Sequence, residues 1–260
     1  MTAPNKNKPL AAAVILTYNE ECNIAETISN ARLYFDTVFI LDSISTDKTV
    51  ELATKAGARI LENRFDNFAS QRNFAIASLK DDFEWIFFLD ADESIDGELG
   101  ENLKQTISHT PDRQIAYRMK RQNYFLGKKI KYAFGSDRQF RLFGKFGQLK
   151  YVGEVHEGVD LTETDVRTIA GYIIHKDKTT LANHITKMNG YTSLEIQRRK
   201  THSLKRTVFQ LITVPFLTFL KTYIVRKGFL DGYRGFIIAW LASFYKFIMI
   251  GKQIEKIRQK

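Results

Sequence analysis

Short, unbroken apolar runs alternate with stretches of helical periodicity through the first 90 residues, and this alternation constrains the fold more than any other feature of the chain. Residues 10–17 (LAAAVILT), 37–42 (TVFILD) and 84–89 (EWIFFL) lack the polar alternation of a half-exposed strand; strands of a parallel sheet covered on both faces have this character. A shorter strand is expected at 58–62. Between them, 19–35 carries apolar positions at helical spacing. Residues 46–56 read as a helix capped by Ser45 or Thr46 and stopped by Gly57, and Phe68–Leu79 as a third helix. Strands separated by helices predict an α/β fold with a mostly parallel central sheet and right-handed crossovers.

The remaining features bound the compartment and the layout. The opening MTAPNKNKPLAAAVILTY imitates a signal peptide, but its apolar run stops at Asn19-Glu20-Glu21 without a small-residue cleavage site. A buried strand is the better reading. The single cysteine, Cys22, excludes a disulfide within the chain and suits the cytoplasm. Beyond residue 113 the pattern becomes irregular, with β-rich pieces at Gln114–Lys120, Arg138–Phe143 and Thr168–His175. No repeat or low-complexity tract interrupts a catalytic domain expected over 1–197.

In open α/β sheets, ligands bind beyond the carboxyl ends of the strands. Three polar clusters lie at such ends: Thr17–Glu21, Asp42–Thr46 and Asp90–Glu93. In WIFFLDADE, Asp90 and Asp92 follow a buried strand, where two carboxylates one residue apart can hold a hard divalent cation that bridges to a diphosphate. Alternatively, the acids cap the next helix.

TYNEE, DSISTDKT and DADE in this order resemble family-2 glycosyltransferases of the GT-A fold, a Rossmann-like nucleotide-sugar-binding fold, over roughly residues 10–160. The likeness to the lipopolysaccharide-core glucosyltransferase branch is closer, through QRNF, RQFRLF, YVGEVHEGV and the basic tail. The resemblance implies an inverting hexosyltransferase that moves a sugar, best read as glucose from UDP-glucose, to a lipopolysaccharide or lipooligosaccharide inner-core acceptor with Mg²⁺ or Mn²⁺. It implies that Thr17, Asn19 and Glu20 line the nucleotide pocket, with Asp42 near the uracil or ribose. Gln71, Arg72 and Asn73 would begin a helix whose amino end favours the diphosphate, although Arg72 also reads as a solvated helix charge. Asp92 becomes the principal metal ligand, and Asp90 contacts the ribose or the metal shell. Glu93 is either a supporting residue or an exposed acid. In the Val-His-Glu segment, Glu157 is the expected base with Glu154 as the runner-up, and His156 is a candidate ligand to metal or phosphate unless it is structural. Arg138 and Arg141 either reach a diphosphate or anionic acceptor or are surface cations. A QxxRW motif is absent, which argues against a processive polymerase.

The charge is lopsided: residues 198–260 hold 14 Lys and Arg against Asp231 and Glu255, while the first 197 residues come out at −2. Two apolar stretches, Val208–Val225 and Phe236–Ile250, lie among these cations. The first contains Gln210, Pro215 and Lys221, and the second spans about 15 residues, fewer than the roughly 20 needed to cross a bilayer. Helices lying in the interface of an anionic membrane are expected, joined by a turn at Gly228, Gly232 and Gly235 around Asp231. Two buried core helices, or one true membrane span, are the alternatives. This hydrophobic bulk among the charges favours lipid over nucleic acid as partner, and together with the resemblance it implies a monotopic enzyme at the cytoplasmic face of the bacterial inner membrane, acting on a lipid-linked acceptor, with no nucleic acid partner. Transfer to a polyprenyl phosphate and a non-catalytic membrane scaffold are the competing readings.

Overall fold

The computed structural model describes residues 10–109, 111, 114–153, 158–160, 165–176, 180–199 and 203–259. They fall into two compact units, one within Met1–Arg121 and Arg138–His175, the other within Gln122–Asp137 and Lys176–Lys260. The second unit takes in 122–137 from the middle of the chain as well as 176–260.

The first unit opens with β1 (Ala11–Thr17), α1 (Ile24–Ala31), β2 (Thr37–Asp42), α2 (Thr49–Lys55), β3 (Arg59–Glu62), α3 (Phe68–Leu79) and β4 (Trp85–Asp90). Then follow β5 (Glu93–Ile95), α4 (Gly97–Ile107) and β6 (Ile115–Phe125); after β7 (Lys128–Lys129), which lies in the second unit, come β8 (Arg138–Gly144), β9 (Lys150–Val152), β10 (Gly158–Asp160) and β11 (Asp165–Lys176). The main sheet has the order β3-β2-β1-β4-β8-β6-β11-β5. The first four strands are parallel, as the sequence pattern predicts. Beyond β4 the described pairings of β4 with β8, β8 with β6 and β11 with β5 are antiparallel.

Coverage of both faces explains the unbroken apolar runs. Ala13, Ile15, Ile40, Phe87 and Leu89 pack with Ile24, Ile28, Leu99 and Leu103 on one side of the sheet. Their strand neighbours Val14, Leu41, Ile86 and Phe88 pack with Ala75, Ile76 and Leu79 on the other. Each of the larger side chains contributes roughly 1.5–3 kcal/mol by leaving water. Register then levels the strand ends: Thr17 stands opposite Asp42, and Leu16 opposite Asp90.

Two helix starts differ from the sequence reading. α1 begins at Ile24: Asn19, with φ 53°, lies outside the helical region, and a turn in which the Asn23 N–H bonds the Glu20 carbonyl at 2.9 Å leads into the helix. α2 begins at Thr49, where Asp47 accepts from the Thr49 N–H at 2.9 Å. Ser45 and Thr46 do not cap it, because the site loops use their polar groups. α4 carries no strong apolar signal, yet it is a regular helix whose N-cap, Asp96, accepts from the Leu99 N–H at 2.8 Å.

The second unit contains α5 (Leu181–Arg198), α6 (Leu204–Leu220) and α7 (Tyr233–Arg258). α6 runs on through a wide turn at Lys221–Val225, so the helical stretch is 22 residues long, and α7 has 26 residues. The second apolar stretch is thus longer than its apolar part alone indicates, since flanking polar residues extend the same helix. Both helices are long and apolar enough to cross a membrane by length and composition. Phe219 packs its ring against those of Trp240 and Phe236, and the Ser243 hydroxyl donates to the Pro215 carbonyl at 2.9 Å.

Gly171 in β11 tests the packing of the first unit. Its φ is +98°, and a Cβ there meets the backbone nitrogen of Leu99 at 2.2 Å. At Gly127, φ is +73° and a Cβ meets nothing within 4 Å. Gly171→Ala is expected to cost on the order of 3 kcal/mol, against about 1 kcal/mol for Gly127→Ala, measured as urea-unfolding midpoints; equal losses contradict the close approach.

Candidate active site

The loops after β1 and β2 are knitted together by side chains that bond backbone. The buried Asp42 carboxylate accepts from the Thr17 hydroxyl at 3.0 Å and from the Ser45 N–H at 2.7 Å. The Asn19 side chain accepts from the Thr46 N–H at 2.8 Å, and the Asn19 N–H donates to the Ser45 hydroxyl at 2.9 Å. The Glu20 N–H donates to Thr49 Oγ1 at 2.7 Å, and the Lys48 N–H donates to Glu21 at 3.1 Å. Ile44 holds φ 65°, a left-handed conformation that is costly for a β-branched side chain and clusters at functional sites. Thr17, Asn19, Glu20 and Asp42 are thereby brought together at the neighbouring ends of β1 and β2.

A charge cluster sits at the end of β4. Arg141 donates from one guanidinium nitrogen to Asp90 at 3.2 Å and from the other to Asp90 and Glu93, both at 2.8 Å. Arg72 reaches Asp90 at 3.3 Å and Arg121 reaches Glu93 at 3.3 Å, while Glu93 also accepts from the Asp90 N–H at 3.1 Å. Arg141 owes its aim to a β-bulge. Tyr117 pairs with Leu142 and the next residue, Arg118, with Phe140, which leaves Arg141 as the extra residue of β8; such bulges re-aim side chains near active sites. The Asp90 side chain keeps 34% of its surface open and that of Glu93 keeps 0%, so Asp90 can face a ligand whereas Glu93 acts from behind it.

The electrostatics follow from this arrangement. Burial raises an acid's pKa, but Arg141 and Arg72 outweigh it at Asp90 and hold that carboxyl well below the usual range. At Glu93 burial prevails, helped by the charge of Asp90, and pushes the pKa up. Burial alone lowers an arginine, but Asp90 and Glu93 hold the Arg141 guanidinium firmly protonated.

Asp92 stands apart from the arginines. Its carboxylate lies 3.2 Å from Nε2 of His175. β11 delivers that histidine, pairing it with Glu93 of β5. Burial lowers the His175 pKa, while the bond to Asp92 and its charge raise it by more, so the net shift is upward. Thr27 donates to the Ala91 carbonyl at 2.6 Å, and Asn30 brackets Ile95 by accepting from its N–H at 2.7 Å and donating to its carbonyl at 3.1 Å; together they hold the Asp-Ala-Asp turn against α1. Among the described residues no group of three or more His, Cys, Asp or Glu side chains forms a metal cage. The partly open Asp92 instead suits a hard cation that keeps waters and takes its other oxygens from substrate phosphates.

The other expected residues separate. Gln71, Arg72 and Asn73 lie past the first turn of α3, because Asn67 caps that helix by accepting from the Ser70 N–H at 2.8 Å; the amino-end attraction expected for them falls off within one turn. Gln71 bonds the Asn63 carbonyl at 3.0 Å, and Asn73 bonds both backbone groups of Tyr151 at 2.8 and 2.9 Å. Arg72 is no solvated charge: it is buried between the rings of Phe88 and Tyr151 and reaches Asp90. Arg138 is exposed, whereas Arg141 is buried and is not a surface cation. Glu154, His156 and Glu157 lie outside the described residues. Arg121 and His175 carried no sequence signal, since the antiparallel half of the sheet brings them in. Glu93 is not an exposed acid.

Acidic loops at the level ends of a parallel half-sheet, continued by an antiparallel half, define a nucleotide-sugar-binding domain of the GT-A type. The profile of Glycosyl transferase family 2 matches residues 12–159, and the chain belongs to that family. It is similar to an uncharacterized glycosyltransferase of Rickettsia typhi, 27% identical over 251 residues that cover 93% of this chain and 85% of the relative. It is also similar to the lipopolysaccharide core biosynthesis glycosyltransferase LpsC of Rhizobium meliloti, 27% identical over 257 residues covering 94% and 92%. Among solved structures, S. aureus TarS 1–349 in complex with UDP-GlcNAc aligns with TM-score 0.45 at 13% identity, covering 96% of this chain and 92% of that one.

Two measurements probe the cluster. Arg141→Met removes the cation shared by the two carboxylates, leaving Asp90 to Arg72 and Glu93 to Arg121, and is expected to cost about 3 kcal/mol of stability, part of which Glu93→Gln restores in the double variant; unfolding midpoints that move independently contradict the fork. The raised His175 pKa adds stability that is fully present below the unfolded value of about 6.5 and is lost as pH rises through the folded value. In metal-free buffer, the stability gap between wild type and His175→Gln therefore narrows as pH rises from 6 through 8; a gap that widens contradicts the pairing with Asp92.

Proposed function

We propose that this glycosyltransferase moves glucose from UDP-glucose to a hydroxyl of a lipopolysaccharide or lipooligosaccharide inner core, with inversion at the anomeric carbon. The observation that carries the reading is the convergence of Thr17, Asp42, Asp90 and Asp92 at level strand ends beside the buried Arg72. The LpsC relative supports the acceptor class. In this reading Thr17, Asn19, Glu20 and Asp42 frame the nucleoside, and Asp90, fixed by Arg141, contacts the ribose. The positive charge of Arg72 favours the diphosphate from the second turn of α3.

Asp92 is the side chain to hold Mg²⁺ or Mn²⁺, oriented by His175, with His156 as a candidate ligand to the metal or phosphate. The cation, when bound, supplies neutralisation of the diphosphate leaving group. The acceptor oxygen attacks the anomeric carbon as the bond to the diphosphate breaks. The hydroxyl proton passes to Glu157, or to Glu154 if that residue is the base. Attachment to the cytoplasmic face of the inner membrane is by α6 and α7 lying in the interface, where Phe209, Ile212, Phe216 and Trp240 are exposed among basic residues. Confining enzyme and lipid-borne acceptor to one surface raises their encounter.

The test is UDP release from a panel of UDP-sugars by purified protein, with Mg²⁺, Mn²⁺ or EDTA, and with truncated lipooligosaccharide or polyprenyl phosphate. Release that needs metal, favours UDP-glucose and rises only with lipooligosaccharide is expected; stimulation by polyprenyl phosphate instead overturns the acceptor. Asp92→Asn is expected to lower transfer by about 10²-fold or more in a folded protein, and His175→Gln by about 10- to 100-fold with weakened metal affinity. Glu157→Gln retains donor binding and loses transfer; if Glu154→Gln does so instead, the base is Glu154.

A further inference from the structure

Residues 122–137 lie inside the catalytic half of the sequence but belong to the second unit. They form a short hairpin in which Phe125, Ile130 and Ala133 bury against Ile238 of α7. The side chains between and beside those anchors stay outside: Leu126 is 44%, Tyr132 37% and Phe134 40% exposed. Lys128, Lys129 and Lys131 are exposed with them.

This display is built rather than loose. Asp231, in the turn between α6 and α7, accepts from the N–H groups of Lys131 and Tyr132 at 2.9 Å and of Ala133 at 2.8 Å. Arg234 donates twice to the Leu126 carbonyl, at 3.1 and 3.2 Å. The carboxylate of the turn is thus turned onto the hairpin backbone. Around it, Arg226 and Lys227 are exposed, with Phe229, Leu230 and Tyr233 at 48%, 54% and 61% exposure.

We propose that this hairpin is a second membrane-contacting element, seated on an anionic bilayer with its lysines against lipid phosphates and Leu126, Tyr132 and Phe134 in the interfacial layer. The inference rests on the attachment of α6 and α7 and adds to it a segment some 70 residues earlier in the chain. Charge complementarity selects the occupant. Cations interleaved with aromatic and aliphatic side chains match a surface that is both anionic and apolar. A soluble polyanion matches the cations and leaves Leu126 and Phe134 without a role.

The test is flotation of the full chain with phosphatidylcholine vesicles, with and without phosphatidylglycerol. Each lysine near an anionic surface is worth about a fivefold gain in partition. Lys128→Ser/Lys129→Ser/Lys131→Ser is therefore expected to lose at least about tenfold in binding to anionic vesicles, and Tyr132→Ser/Phe134→Ser to lose binding to both vesicle types. The buried anchors are kept, and UDP release with a detergent-dispersed acceptor stays at the wild-type rate, reporting that the site is intact. Wild-type binding with both variants unchanged overturns the hairpin's role while the attachment of α6 and α7 stands. Wild type that ignores vesicles overturns both. A lysine effect shared with soluble phosphorylated oligosaccharide, with Tyr132→Ser/Phe134→Ser silent, overturns the bilayer as occupant.

Discussion

The fork of Arg141 across Asp90 and Glu93 is the constraint on which the rest of the site depends. Two carboxylates this close do not both stay ionised unless a cation lies between them. Arg141 comes from β8, in the antiparallel half of the sheet, and the acids come from the end of β4 and from β5. Electrostatics therefore fastens the two halves of the sheet together where chemistry is needed. Arg72 and Arg121 complete the balance from α3 and β6.

That arrangement gives neighbouring acids different roles. Asp90 stays charged and held, Glu93 is sealed behind it, and Asp92 is left with a histidine and an open side. A carboxylate already committed to arginines makes a poor metal ligand, whereas one beside an imidazole keeps oxygen lone pairs available. In the proposed reading, the division between a positioned acid and a ligating acid follows from which residues the antiparallel strands deliver, more than from the Asp-Ala-Asp motif itself.

Much of the parallel half was legible, because strands covered on both faces cannot carry polar residues and so announce themselves as apolar runs. β2 and α3 begin and end where the pattern places them. The antiparallel half was legible only in pieces. A bulge adds a residue and shifts the side-chain alternation, so nothing in RQFRLF marks Arg141 as the inward residue. His175 is brought to Asp92 by pairing between strands some 80 residues apart, a relation that local periodicity does not encode. Asp231 read as a turn residue, but its three bonds to the 131–133 backbone needed the fold. α4 and α5 were missed because polar residues and glycines dilute their apolar faces.

The bonds between the loops after β1 and β2 are reciprocal: side chains of each loop hold the backbone of the other, through Asn19 to Thr46, Glu21 to Lys48 and Ser45 to Asn19. Neither loop can change shape alone. The conformational entropy of this wall is surrendered when the chain folds, leaving little to be lost on binding the nucleotide proposed for it. The same coupling makes the wall hard to vary one residue at a time, since a substitution in either loop releases backbone groups in both; divergence in this region would proceed by paired changes.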